Sequence, residues 1–152
     1  MTESPSILLA EDDEGHATLI RRNLRRAGFD NAPVHLKDGQ ELLDYVYRRE
    51  HWKDRALHDS LAIIADLNMP RLSGFEVLQR LKEDDRLSRI PVFVLTTTDN
   101  PAELDRCYAL GAAGYFVKPV DYGVFGDLVK HLAEFLSSVR LPSEVSTEAH
   151  GS

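Results

Sequence analysis

Apolar residues in this chain fall into two alternating patterns. Short, compact apolar runs occur at "SILLA" (6–10), "APVHL" (32–36), "LAIIADL" (61–67), "IPVFVLTTT" (90–98) and "AGYFV" (113–117). Each is bounded by polar or turn residues, which predicts a strand. Between them the spacing changes to that of a helix face. Ala17, Ile20, Leu24 and Ala27 share one stripe, and Gly28 is placed to end it. Leu42, Leu43 and Val46 continue the pattern within "DGQELLDYVYRRE", and Phe75, Leu78 and Leu81 within "SGFEVLQRLKED". "PAELDRCYALG" opens on Pro101 and closes before Gly111, and "DYGVFGDLVKHLAEFLSSV" opens on Asp121 as a cap.

Five strands alternating with five helices predict a doubly wound parallel α/β sheet. The third and fourth strands are apolar at nearly every position, as strands covered on both faces must be. Two polar stretches stand outside this frame. "HWKDRALHDS" (51–60) lengthens the connection into the third strand, and residues 140–152 form a polar tail expected to be disordered.

Composition narrows the function classes. The 152 residues carry a formal net charge of −7, which argues against non-specific nucleic-acid binding. No apolar run reaches membrane-spanning length, and "MTESPS" lacks the basic-then-apolar pattern of a signal peptide. A cytoplasmic location is the expectation. Cys107 is the single cysteine, expected to be a small buried or half-buried residue. The six histidines (16, 35, 51, 58, 131 and 150) show no transition-metal spacing and are expected at the surface or in loops.

Chemistry concentrates where the predicted strands end. The first strand runs into Glu11, Asp12 and Asp13, the third ends at Asp66, the fourth at Thr96 and the fifth at Lys118. Ligand sites of open parallel sheets lie at these carboxyl ends. Carboxylates plus waters suit Mg²⁺, a hard cation that prefers oxygen. A carboxylate beside such an ion can attack phosphorus and become an acyl phosphate. An amine and a hydroxyl then meet the phosphoryl oxygens, and catalysis is mostly positioning and charge compensation. Taken singly these residues have plainer readings: Asp13 as an acid at a helix N-terminus, Tyr115 as half-buried core, Lys118 as a surface lysine. Their company at one sheet edge favours the site.

"LLAEDD", "IIADLNMPRLSG", "PVFVLTTTD" and "GYFVKPV" together resemble the receiver domain of two-component response regulators, over residues 5–139. The resemblance implies a flavodoxin-like fold. It implies that Asp66 accepts a phosphoryl group from a histidine kinase or phosphotransfer protein. Asp12 then touches Mg²⁺ directly, Glu11 does so through water, and Asn68 contributes its backbone carbonyl. Lys118 pairs with the phosphoryl group, its bond to Pro119 resembles the family's cis peptide, and Thr96 and Tyr115 form the switch pair. The long 51–60 connection resembles the single-domain regulators that partner bacterial phytochromes, which implies such a kinase as partner. With no output domain in these residues, the expected output is protein binding or phosphate relay. The competing reading is a constitutive receiver-like interaction module without phosphorylation control.

Two surfaces remain. Arg21, Arg22, Arg25 and Arg26 are either a solvated face or a docking surface for an acidic patch on the kinase. On the last helix, Phe125, Leu128, Leu132, Phe135 and Val139 form a stripe that Val129 and Leu136 widen. That breadth means either a wide core contact or a homodimer face built from the fourth helix, fifth strand and fifth helix; the dimer is the expectation, with Val129 and Leu136 exposed on it.

Overall fold

The computed structural model describes residues 5–144. Five strands, β1 (Ser6–Ala10), β2 (Val34–Leu36), β3 (Leu61–Ala65), β4 (Val92–Thr96) and β5 (Gly114–Val117), form one parallel sheet in the order β2-β1-β3-β4-β5. Five helices connect and follow them: α1 (Glu14–Arg26), α2 (Gly39–Val46), α3 (Gly74–Glu83), α4 (Pro101–Ala109) and α5 (Tyr122–Ser138). The doubly wound architecture expected from the alternating pattern is therefore the observed one.

Strand periodicity divides the core into two layers. Leu8 and Ala10, Ile63 and Ala65, and Val92 and Val94 face α2, α3 and α4. Ile7 and Leu9, Ala62 and Ile64, and Phe93 and Leu95 face α1 and α5. Alternate residues point to opposite faces of a strand, so near-continuous apolar runs are what two helical layers require. Cys107 is fully buried in the first layer. Burial is the main reason its thiol is pushed up to about 11, which leaves no thiolate for chemistry at neutral pH.

Val129 is 1% exposed and Leu136 0%, so the expected outward position of these two residues is incorrect. Both belong to the second layer, which is thick because α1 and α5 pack on each other as well as on the sheet. Phe135, 50% exposed, is the outward-facing large residue of that stripe.

Helix ends follow their local chemistry. Gly28 adopts φ 101° and the Phe29 N–H reaches back to the Leu24 carbonyl, closing α1 at the glycine that marks it. α2 ends earlier than its pattern suggests, at Val46. There Arg48 takes the left-handed conformation (φ 54°) and Arg49 N–H bonds the Asp44 carbonyl, a stop made without glycine.

The polar stretch 51–60 and the first residues of the tail form a single structure. Leu61 N–H donates to the Pro142 carbonyl and Glu144 N–H to the His58 carbonyl. The Arg55 guanidinium makes a bidentate pair with Glu144 (3.0 and 2.7 Å), donates to the Tyr45 carbonyl and lies 4.1 Å over the Tyr45 ring. Glu144 also accepts from His58 N–H at 2.7 Å. Residues 141–144 are thus a packed strap rather than the start of a disordered tail; the rest of the expected tail, 145–152, lies outside the described residues.

Breaking that buried pair strands a charge. Glu144→Ala leaves Arg55 without its partner and is expected to cost on the order of 3 kcal/mol in urea unfolding. The double replacement Arg55→Met with Glu144→Leu, which removes both charges, should lose clearly less. Equal losses would show that the pair does not hold the strap.

Candidate functional site

The strand order places β1 and β3 side by side while their following connections depart to opposite sides of the sheet, which opens a crevice at their carboxyl ends. Backbone ladders continue one residue beyond the strands and deliver the polar side chains to that crevice. Glu11 N–H bonds the Leu36 carbonyl, Asp66 N–H the Ala10 carbonyl and Lys118 N–H the Thr96 carbonyl. Glu11, Asp66, Thr96 and Lys118 are buried, whereas Asp12 is exposed at the rim.

One ammonium organises this cluster. Lys118 Nζ donates to Glu11 Oε1 (2.5 Å), to Asp66 Oδ2 (2.8 Å) and to His16 Nδ1 (3.0 Å). The second oxygen of Asp66 accepts from Asn68 N–H at 3.0 Å. Burial works against the lysine's charge, but hydrogen bonds and charge from Asp66 and Glu11 outweigh it, so Lys118 is held above its ordinary pKa. Glu11 moves the other way in charge. Burial is the leading cause, the Asp66 carboxylate adds to it, and together they push the carboxyl up to about 7 despite Lys118. Carboxylate oxygens of Glu11, Asp12 and Asp66 lie within 4.8 Å of one another, an all-oxygen set that could hold a metal ion.

The surrounding loops are fixed by close packing. At Gly74 a Cβ would lie 2.7 Å from the Asp66 carbonyl oxygen, and at Gly39 2.3 Å from the Leu72 carbonyl oxygen. Only glycine lets α3 and α2 approach the loop 67–73 that follyows Asp66. Arg71, at φ 65°, pairs with Asp38 (2.9 and 3.0 Å) and ties the same loop to the N-cap of α2. The Asn68 side-chain amide lies 3.4 Å from both Thr96 Oγ1 and Thr98 Oγ1. Tyr115 donates its hydroxyl proton to the Thr98 carbonyl at 2.7 Å, so β5 also holds the loop after Thr96.

Three expectations change. The described residues contain no cis peptide bond, so Lys118–Pro119 is trans, the isomer favoured by about 0.5–1 kcal/mol for X–Pro bonds. His16 is not a plain surface residue, since its ring nitrogen meets Lys118. His35 bonds the Glu11 carbonyl oxygen at 2.6 Å and anchors the acidic loop. Neither histidine has ligand spacing, which is why the sequence pattern gave no sign of them. The position of His16 four residues after Asp12, one turn into α1, was the available signal.

A profile of the response regulator receiver domain matches residues 7–131. This chain belongs to the response regulator receiver family. The receiver is 36% identical over 129 residues to the probable methanogenesis regulatory protein FilR2 of Methanothrix harundinacea, covering 85% of this chain and 81% of that protein. It is 30% identical over 138 residues to the response regulator Rcp1 of Synechocystis, covering 90% and 92%. The Mn(2+)-bound form of Rcp1 superposes with a TM-score of 0.84 over 91% of this chain and 99% of its own. The phosphorylated cyanobacterial phytochrome response regulator RcpA superposes with a TM-score of 0.85 at 32% identity, over 93% of this chain and all of its own. The receiver's role is accordingly phosphorylation-dependent signalling in a two-component system, and its family is not one of classical enzymes.

The raised Glu11 pKa has a measurable consequence without metal. The folded receiver keeps a proton on Glu11 up to about pH 7, which the unfolded chain releases near 4.5. The folded state binds more protons in that window, so this group's contribution to stability falls as pH rises through it. Glu11→Gln removes the dependence. In EDTA, the difference in unfolding free energy between the variant and wild type should shift in favour of the variant between about pH 5 and pH 8. A difference constant with pH would contradict the assignment.

Proposed function

We propose that Asp66 is the phosphoacceptor of this receiver. The observation that carries the reading is the Lys118 ammonium bridging Asp66 and Glu11 beside the exposed Asp12. An Asp66 carboxylate oxygen attacks phosphorus, an acyl–oxygen–phosphorus bond forms, and the bond to the donor's imidazole nitrogen or acyl oxygen breaks. Lys118 turns an N–H from Asp66 to a phosphoryl oxygen, and the Thr96 hydroxyl donates to another. Burial strengthens both contacts.

The donor set fits Mg²⁺. Glu11, Asp12, Asp66 and the Asn68 backbone carbonyl would hold it, with Glu11 acting through water. Their carboxylate oxygens are hard donors that lie within 4.8 Å of one another, as such a cation requires. When bound, the ion supplies positive charge to the phosphoryl oxygens. The Mn(2+)-bound form of Rcp1 supports a divalent ion in such a site.

Thr96 and Tyr115 carry the change outward as the switch pair, since both meet the loop that opens α4. The output face is α4–β5–α5, where Leu104, Tyr108, Val117, Val120, Tyr122, Val124 and Phe135 are exposed. A second copy of the receiver covers this face in a homodimer. The kinase is a bacterial phytochrome, a reading supported by the likeness to the cyanobacterial phytochrome response regulator RcpA, and the receiver works in the cytoplasm. Arg21, Arg22, Arg25 and Arg26 lie on α1, which starts at the site and carries Arg25 and Arg26 in its last turn, and they suit an acidic patch on that kinase.

Acetyl phosphate with Mg²⁺, followed by intact mass, tests the central assignment. Wild type should gain one phosphoryl group, and Asp66→Asn or excess EDTA should abolish the gain. Undiminished labelling of Asp66→Asn would transfer the role to another residue.

Phe135→Glu is expected to give a folded monomer in sedimentation, because it charges an exposed position and leaves the buried Val129 and Leu136 in place. Thr96→Ala should still accept phosphate but lose any phosphorylation-dependent change in dimer affinity. A wild type that is monomeric at high concentration with and without phosphate would remove the dimer.

A further inference from the structure

We propose that His16 is a positioning residue for phosphoryl transfer, acting through the Lys118 ammonium. This inference rests on the reading of Asp66 as phosphoacceptor and Lys118 as its phosphoryl partner. Nδ1 of His16 lies 3.0 Å from Lys118 Nζ. An ammonium group only donates, so Nδ1 accepts and the ring proton resides on Nε2. Lys118 has three N–H bonds, and Glu11 Oε1, Asp66 Oδ2 and His16 Nδ1 take all three.

The third acceptor matters because of what happens to the other two. A lysine ammonium is a point charge on a flexible four-carbon stem, with no intrinsic preference for one orientation. Held by two carboxylates alone, its remaining proton has no fixed direction. With His16 in place, two of its N–H bonds are fixed to residues of the β1–α1 wall, Glu11 and His16. Phosphoryl transfer then requires only the Asp66-directed N–H to change partner, from a carboxylate oxygen to a phosphoryl oxygen, while the charge stays in place. Preorganisation of this kind lowers the barrier because little reorients during reaction.

His16 is itself well fixed. Its backbone N–H donates to Asp13 Oδ1, the N-cap of α1, at 2.9 Å. Its ring stands edge-on to Phe125 of α5, with centroids 5.1 Å apart and planes at 85°. The side chain is 30% exposed, so it stands at the mouth of the crevice with Nδ1 turned inward. The aromatic contact and the lone pair are separate properties, and substitutions can remove them one at a time.

His16→Phe keeps a ring against Phe125 and removes the acceptor. His16→Asn places an amide oxygen near the former Nδ1 and removes the ring. Phosphorylation by acetyl phosphate at saturating Mg²⁺ should slow on the order of tenfold in His16→Phe, the scale of one lost hydrogen bond to a charged group. His16→Asn should restore most of the rate. Thermal stability should rank the other way, with His16→Asn the less stable of the two. The Mg²⁺ concentration for half-maximal rate should be the same in all three proteins, since no metal-binding oxygen is altered. A wild-type rate in His16→Phe, or a rate in His16→Asn as slow as in His16→Phe, would overturn the proposal. So would nitrogen NMR of the wild type showing the ring proton on Nδ1. Failure of the Asp66 reading is distinguishable, because there the wild type itself takes up no phosphoryl group or Asp66→Asn still does.

Discussion

A single buried ammonium held between two carboxylates organises the polar end of this molecule's sheet. Lys118, Glu11 and Asp66 are all less than a tenth exposed, and burying three charged groups is unfavourable unless their geometry compensates for lost water. The compensation is incomplete. Burial, with a smaller contribution from the Asp66 carboxylate, pushes the Glu11 carboxyl up to about 7 despite Lys118. A cation shared by the Glu11, Asp12 and Asp66 oxygens would favour the charged form of Glu11 and so work against that burial cost. A phosphoryl group on Asp66 would add negative charge to the crevice, which Lys118 and a divalent cation would have to offset.

The sheet exists in a form that makes this cluster rigid. Glu11, Asp66 and Lys118 each continue a backbone ladder past a strand end, so their positions follow from strand register rather than from loop conformation. A slip of one residue in any strand would turn its side chains to the opposite layer of the core. The same alternation that fills the two apolar layers therefore aims the acids and the lysine. Packing and site geometry are fixed by one pattern, and the close approaches at Gly39 and Gly74 hold the intervening loop to it.

That common pattern explains what the sequence reveals. The strands, the helices and the convergence of Glu11, Asp12, Asp66, Thr96 and Lys118 at one edge all follow from local periodicity, and they are observed. What escapes periodicity depends on contacts between distant segments. The strap is formed by two stretches that each look merely polar, because Arg55 and Glu144 are buried only where the two stretches meet, against each other, Tyr45 and His58. The early stop of α2 uses Arg48 where glycine would announce it. The breadth of the α5 stripe has two explanations, and only the packing of α1 against α5 decides that Val129 and Leu136 are core. His16 belongs to the same class, since a lone histidine at the start of a helix has no pattern of its own.

The distribution of burial also says which part of the molecule is free to respond. α5 buries five residues and α1 packs along it, while the strap ties the chain beyond α5 to the 55–60 segment. α4 buries one residue, Cys107. Its other ties include packing on β5, the Tyr115 hydroxyl on the Thr98 carbonyl just ahead of it, and the Arg106 guanidinium 4.1 Å over the Phe75 ring. An element with so few buried contacts moves at the least free-energy cost. A ligand shifts a conformational equilibrium only by as much as its contacts differ between the two states. A phosphoryl group on Asp66 would change contacts at Thr96 and the loop after it, the segment from which α4 begins. One altered hydrogen bond there would weigh more against the attachment of α4 than against the packing that secures α5. Leu104 and Tyr108 are exposed on α4, so a shift there changes an apolar surface rather than a solvated one. The weakness of α4's attachment and the apolarity of its outer face thus fit together as the two requirements of a switch: an element cheap to move, with a surface on which the movement registers.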